Sequence, residues 1–276
     1  MDEENSIAQK IRILPIYLIV LFIFIFMFNS LAKYLIYPVP RVIVPSSPTE
    51  PFKEVEIKLA QNELCIGWYH EIDSKFPILL YFHGNAENLA TLWQAGIFNE
   101  LANLNVNYLS IDYPGYGKSN GKPSENSITK AAQNTLDWMV KKYPDSQIIL
   151  GGWSLGAAVA IKLAAGNLDK VDGLVALSAW SSIVEVAKRH YPHWMVKVFL
   201  KENYNSLVSV KQINVPTLLL HGERDFIIPV DHGRKLSQNF ANKPLWHVIP
   251  GAGHNDLLAH PTVWQKIQEF VEYIVH

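Results

Sequence analysis

Six short apolar runs, set apart by helix-like stretches, constrain this chain more than any other feature. The runs are Pro77–Phe82, Val106–Ile111, Gln147–Leu150, Leu174–Leu177, Thr217–Leu220 and Trp246–Ile249. Between them lie helical stretches near Asn88–Leu104, Ser124–Lys142, Ser154–Ala165, Asp231–Asn239 and Thr262–Val275. A strand that is apolar on both faces must be covered on both faces, and a connection long enough to hold a helix lets successive strands run parallel. The pattern therefore predicts an α/β architecture, a mostly parallel central sheet with helices on both faces. Ahead of it, Val55–Leu59 and Leu64–Tyr69 alternate in polarity and predict a leading antiparallel pair.

Composition narrows the function. With 49% hydrophobic residues the chain is no disordered tract, and 24 Lys plus Arg against 25 Asp plus Glu leave no basic footprint for a nucleic acid. The single cysteine, Cys65, excludes an internal disulfide and a cysteine-based zinc cluster, and its strand-like setting predicts a buried thiol.

The first residues are a different material. After an N-terminal tail (1–12), Ile13 to Ala32 carries no charge, and twenty helical residues at ~1.5 Å each span a hydrocarbon core of roughly 30 Å. A single-pass transmembrane anchor over 13–36 is expected, followed by a proline-rich linker over 37–51 and a folded domain over 52–276. The rival is a cleaved signal peptide ending at Ser30-Leu31-Ala32; the length of the stretch and the acids Asp2, Glu3 and Glu4 favour the anchor. Lys10 and Arg12 before the span balance Lys33 and Arg41 after it, so the side of the membrane stays open.

Catalytic groups of parallel α/β sheets lie at the carboxyl ends of the strands, and three ends carry chemistry. Gly152-Trp153-Ser154-Leu155-Gly156 is a G-x-S-x-G set between a strand and a helix, where a sharp elbow presents the serine to the helix N-terminus. His221-Gly222-Glu223-Arg224-Asp225 follows the next-to-last strand, with Asp225 the expected partner for an imidazole and Glu223 a solvated turn residue. Gly251-Ala252-Gly253-His254 follows the last strand and completes the order Ser…Asp…His. A fourth end, His83-Gly84-Asn85-Ala86, is a turn able to aim a backbone N–H at a reacting carbonyl beside that of Leu155, with His83 supporting the loop.

On these stretches, together with Asp112-Tyr113-Pro114-Gly115-Tyr116-Gly117-Lys118-Ser119, the chain resembles the α/β-hydrolase superfamily, in particular its Bem46-like, membrane-tethered branch. The resemblance covers roughly residues 52 to 276. It implies the α/β-hydrolase fold and a serine hydrolase with Ser154 as nucleophile, Asp225 as acid and His254 as base. It also implies an oxyanion hole from the Asn85 and Leu155 backbones and a small cap over about 179–212. The aromatics Trp180, Tyr191, Trp194, Phe199 and Tyr204 of that cap either line a site for acyl chains or pack the cap onto the body.

The expected function is hydrolysis of acyl esters or thioesters, in small molecules or lipids, through a covalent acyl-enzyme, with neither metal nor organic cofactor. A serine peptidase of the same fold and a non-catalytic membrane scaffold are the alternatives. Two look-alike motifs point elsewhere. Gly117-Lys118-Ser119 ends like a phosphate-binding loop, but Asp112 stands where its first glycine belongs, and His190 and His193 have ligand spacing without a third ligand nearby.

Overall fold

The computed structural model describes residues 36–40, 48, 51–60 and 63–276. Its strands are β1 (Lys53–Ala60), β2 (Glu63–His70), β3 (Ile78–Phe82), β4 (Asn107–Ile111), β5 (Ile148–Trp153), β6 (Gly173–Leu177), β7 (Thr217–Gly222) and β8 (Leu245–Ile249). The helices of the body are α1 (Leu89–Gln94), α2 (Ile97–Ala102), α3 (Glu125–Lys142), α4 (Leu155–Ala165), α8 (Val230–Ser237) and α9 (Pro261–Val275). Three more, α5 (Ile183–His190), α6 (His193–Phe199) and α7 (Ser206–Ser209), lie between β6 and β7 in the expected cap. The strands form one sheet in the order β1-β2-β4-β3-β5-β6-β7-β8, antiparallel from β1 to β4 and parallel from there on.

Side-chain alternation explains the layers. Ile78, Leu80 and Phe82 of β3 point into one core with α3 and α4, while Leu79 and Tyr81 point into the other with α1, α2 and α9. Because all five are buried, each face contributes roughly 1.5–3 kcal/mol per large apolar side chain. Helix α3 begins at Ser124, whose hydroxyl accepts the Ser127 N–H at 3.1 Å, and ends on Lys141 and Lys142, the order the helix dipole favours.

Two expectations need correction. The stretch near Asn88–Leu104 is two helices, because Gly96 takes φ of 74° and ends the first; its apolar spacing runs on across the break, with Leu89, Leu92, Ile97, Phe98 and Leu101 buried. Strands β5 and β7 also run further than their apolar runs. Gly151, Gly152 and Trp153 still pair with β6, and His221 and Gly222 still pair with β8. Glycine is allowed there because a neighbour occupies its side-chain space: a Cβ on Gly151 would sit 2.9 Å from Leu79.

Apart from Ile36, the expected membrane anchor lies outside the described residues, and among the described residues no helix is long and apolar enough to cross a membrane. The segment read as a free linker starts otherwise. Tyr37 is 2% exposed, and its hydroxyl meets that of Tyr204 in the cap at 3.0 Å. An aromatic ring with a buried partner for its hydroxyl is held in place. Most of the linker that follows lies outside the described residues.

Candidate active site

The Ser154 backbone has φ 57° and ψ −114°, a conformation that costs about 1–3 kcal/mol and persists only where its surroundings impose it. The surroundings here are two glycines. A Cβ on Gly152 would lie 2.3 Å from the Gly156 backbone, and one on Gly156 would lie 1.9 Å from the Phe82 carbonyl oxygen. Strand β5 and helix α4 therefore close to backbone contact, and the start of α4 is pressed against the end of β3. Ser154 donates its own N–H to the Leu177 carbonyl at 2.9 Å, which locks the elbow to β6.

His254 stands over this serine. Its Nε2 lies 3.0 Å from Ser154 Oγ, and its Nδ1 lies 2.7 Å from Asp225 Oδ2. A carboxylate only accepts, so Nδ1 carries the proton and Nε2 turns its lone pair to the hydroxyl. All three side chains are buried. Burial works to raise the Asp225 pKa. Hydrogen bonds from His221 and His254, the His254 charge and the Ile228 N–H outweigh it and hold the carboxyl well below the usual range. The N–H groups of Ile227 and Ile228 bind Asp225 Oδ1 at 3.0 and 2.7 Å, so the acid is aimed by its own turn.

Strand-end chemistry did not single out His221. Its Nε2 donates to the Ile228 carbonyl at 2.7 Å and lies 3.4 Å from Asp225 Oδ2, which fixes the floor of the acid turn. Nothing in the sequence marks it, since a histidine inside a buried strand reads as any other core position. Glu223 is exposed, and its carboxylate accepts the Gly251 N–H at 2.9 Å, steadying the loop that carries His254. A Cβ on Gly222 would lie 2.5 Å from the Gly253 carbonyl oxygen, so the acid and histidine loops touch.

The turn after β3 faces the same place. His83 is fully buried, and its Nδ1 donates to the Gly84 carbonyl at 2.8 Å; burial pushes its pKa down to about 4. Its carbonyl accepts the Tyr113 hydroxyl at 2.7 Å. Asn85 is held by its side chain, Nδ2 donating to the Ile36 carbonyl and Oδ1 accepting from Tyr116. Glu87, also absent from the expected site, accepts the Gly84 N–H at 2.6 Å. Burial pushes its pKa up to about 7 against that bond. Trp153 packs against this turn, since a Cβ on Gly84 would lie 2.3 Å from its ring, and against His254 with ring centroids 5.0 Å apart.

The phosphate-loop look-alike is a closed turn. The Asp112 carboxylate accepts the N–H groups of Leu89 and Lys118 at 2.9 and 3.2 Å, so it takes a donor a phosphate would need. The cap aromatics divide: Trp180, Phe199 and Tyr204 are buried, whereas Tyr191 and Trp194 face solvent. Glu125, at the start of α3, fastens the returning end of the cap by accepting the Asn203 N–H at 2.7 Å while pairing with Lys162 at 2.7 Å.

Comparison with known proteins agrees with this fold. A family model described as the alpha/beta hydrolase fold matches residues 77–208. Protein bem46 of Schizosaccharomyces pombe is 30% identical, over 84% of this chain and 80% of that protein. The lysophosphatidylserine lipase ABHD12 of Rattus norvegicus is 32% identical over 74% of this chain, which spans 58% of that longer protein. Among solved structures, the Pyrococcus furiosus esterase Pf2001 superposes with a TM-score of 0.69 at 21% identity, over 86% of this chain and 99% of that one, a likeness of fold.

Proposed function

The chain belongs to the α/β-hydrolase superfamily, in its Bem46-like branch, and from that premise we propose that it is a serine hydrolase of acyl esters or thioesters. The unbroken relay from Asp225 through His254 to Ser154, at 2.7 and 3.0 Å, carries the reading. In the proposed reaction Ser154 Oγ attacks the acyl carbonyl carbon while its proton passes to His254 Nε2. Asp225 keeps the imidazole in the tautomer that accepts this proton and stabilises the cation that forms. The N–H groups of Leu155 and Asn85 receive the oxyanion, at the positive end of α4. His254 then protonates the leaving alcohol or thiol, and water repeats the sequence on the acyl-enzyme.

The names of the relatives favour an ester: one is a lysophosphatidylserine lipase and a fold neighbour is an esterase. A lipid ester is the substrate class we propose, with residues 13–36 anchoring the enzyme in a bilayer. The Ser154→Ala variant tests the assignment. It should lose labelling by a fluorophosphonate and at least ~10⁴-fold in ester hydrolysis, with its thermal melt nearly unchanged. Undiminished labelling would remove Ser154 from the role.

A further inference from the structure

The outer face of the cap differs from the rest of the surface. Helix α6 buries Val196 and Phe199, yet on its other side it leaves Trp194 64% and Val198 53% exposed, with Tyr191 47% exposed just before it. Trp194 and Val198 are four residues apart and share one helix face. From Lys188 to Lys201 the chain has four Lys and Arg and no carboxylate, although its formal net charge is −1. Of these, Arg189, Lys197 and Lys201 are exposed, and Lys188 pairs with Glu185. Exposed Trp and Tyr beside long cationic side chains have the composition of an element lying in a membrane interface.

A second observation brings the chain that follows the uncharged stretch to the cap. Tyr37 is bound to Tyr204 of the cap, and the Ile36 carbonyl accepts from Asn85 in the turn after β3. The uncharged stretch ends at Ala32, four residues earlier, and four residues reach at most ~14 Å. If that stretch enters a bilayer, the membrane surface meets the molecule beside the cap and the Ser154 elbow.

We infer that the outer face of α5 and α6 docks on the surface of a bilayer bearing anionic phospholipid. Trp194 and Val198 enter the interface, Arg189, Lys197 and Lys201 meet phosphate groups, and the active site is held against its lipid supply. The inference rests on the proposed anchor and deepens the proposed substrate class.

The test uses the full chain in nanodiscs of phosphatidylcholine and phosphatidylglycerol with brominated acyl chains, which quench nearby tryptophan. Wild type should lose more emission than Trp194→Phe, and the difference should shrink in Lys197→Glu/Lys201→Glu. That double variant should also hydrolyse a long-chain ester embedded in vesicles of the same lipids roughly tenfold or more slowly, since each surface cation contributes about a fivefold attraction. Its rate on a short soluble ester should be unchanged. Equal quenching in wild type and Trp194→Phe overturns docking. So does shielding of Trp194 from both brominated lipid and aqueous acrylamide, which would mean that protein covers the patch, either the upstream segment or a second copy. Wild type inactive on the soluble ester counts against the hydrolase reading instead, and the quenching comparison still decides docking.

Discussion

The Ser154 elbow and the cap are both built on short helices and glycine- or proline-marked turns, but opposite forces hold them. At the elbow every residue of β5 and every one of the first ten of α4 except Lys162 is buried, and backbones meet with no room for a methyl group. In the cap, α5 buries none of its residues and α6 buries two. Dense packing transmits strain, which is how a serine can be kept at φ 57°. A surface helix cannot store such strain, and is free to carry exposed aromatics and cations instead. The lesson is a division of labour: the part that reacts is held rigid by the core, and the part that meets the surroundings is selected for its outer face.

Four changes would break or sharpen that contrast, in falling order of effect. Asp225→Asn should lower kcat/KM by roughly 10⁴-fold, by releasing the His254 tautomer, whereas Glu223→Gln should cost little; steady-state kinetics on a short ester distinguishes them, and the reverse order would move the acid to Glu223. Gly156→Ala should destabilise the fold by more than about 3 kcal/mol in a denaturant titration, because its new methyl would meet the Phe82 carbonyl at 1.9 Å. An unchanged midpoint would show that the elbow yields.

His83 supplies one pH-dependent contribution. Its folded pKa is pushed down to about 4 by burial, against 6.5 for the free group. The native state therefore stays neutral where the unfolded chain takes up a proton. The stability that a neutral His83 contributes is whole above pH 6.5 and is lost as the pH falls toward 4, by up to about 3 kcal/mol. His83→Asn, whose amide can still donate to Gly84, should flatten this loss in melts run from pH 7 to 4. The smallest effect belongs to the cap: Val198→Ser should shift stability by less than about 0.5 kcal/mol, because the side chain is already exposed. A large shift would mean that the outer face is packed in solution.

Much of this molecule could be read from its residues. The strands were legible wherever a run was apolar on both faces, whereas the break at Gly96 and the continuation of β5 beyond Leu150 were not, because glycine carries no polarity for a periodic pattern to register. Ser154, Asp225 and His254 could be named because each follows a strand end, and topology gathers strand ends on one edge of a parallel sheet. Other contacts left no such trace. Glu87 reaches back three residues to Gly84, and His221 supports Asp225 from within a strand, where its spacing looks like any buried position.

What the sequence determined by itself is the set of local choices: which runs are strands, where a helix is capped, and which side chains have nucleophilic, basic or acidic chemistry. These follow from period, composition and turn chemistry within a few residues of each position. Tertiary structure alone decided distances between residues far apart in the chain, such as the 3.0 Å from Ser154 to His254. It likewise decided the solvation that follows from them, with His83 kept neutral and the Asp225 carboxyl held charged. It also decided that Tyr37 binds the cap and that Trp194 does not face the core. The reason is physical: apolar side chains bury equally well against many partners, so a pattern says that a face must be covered, while only the packed chain says by what.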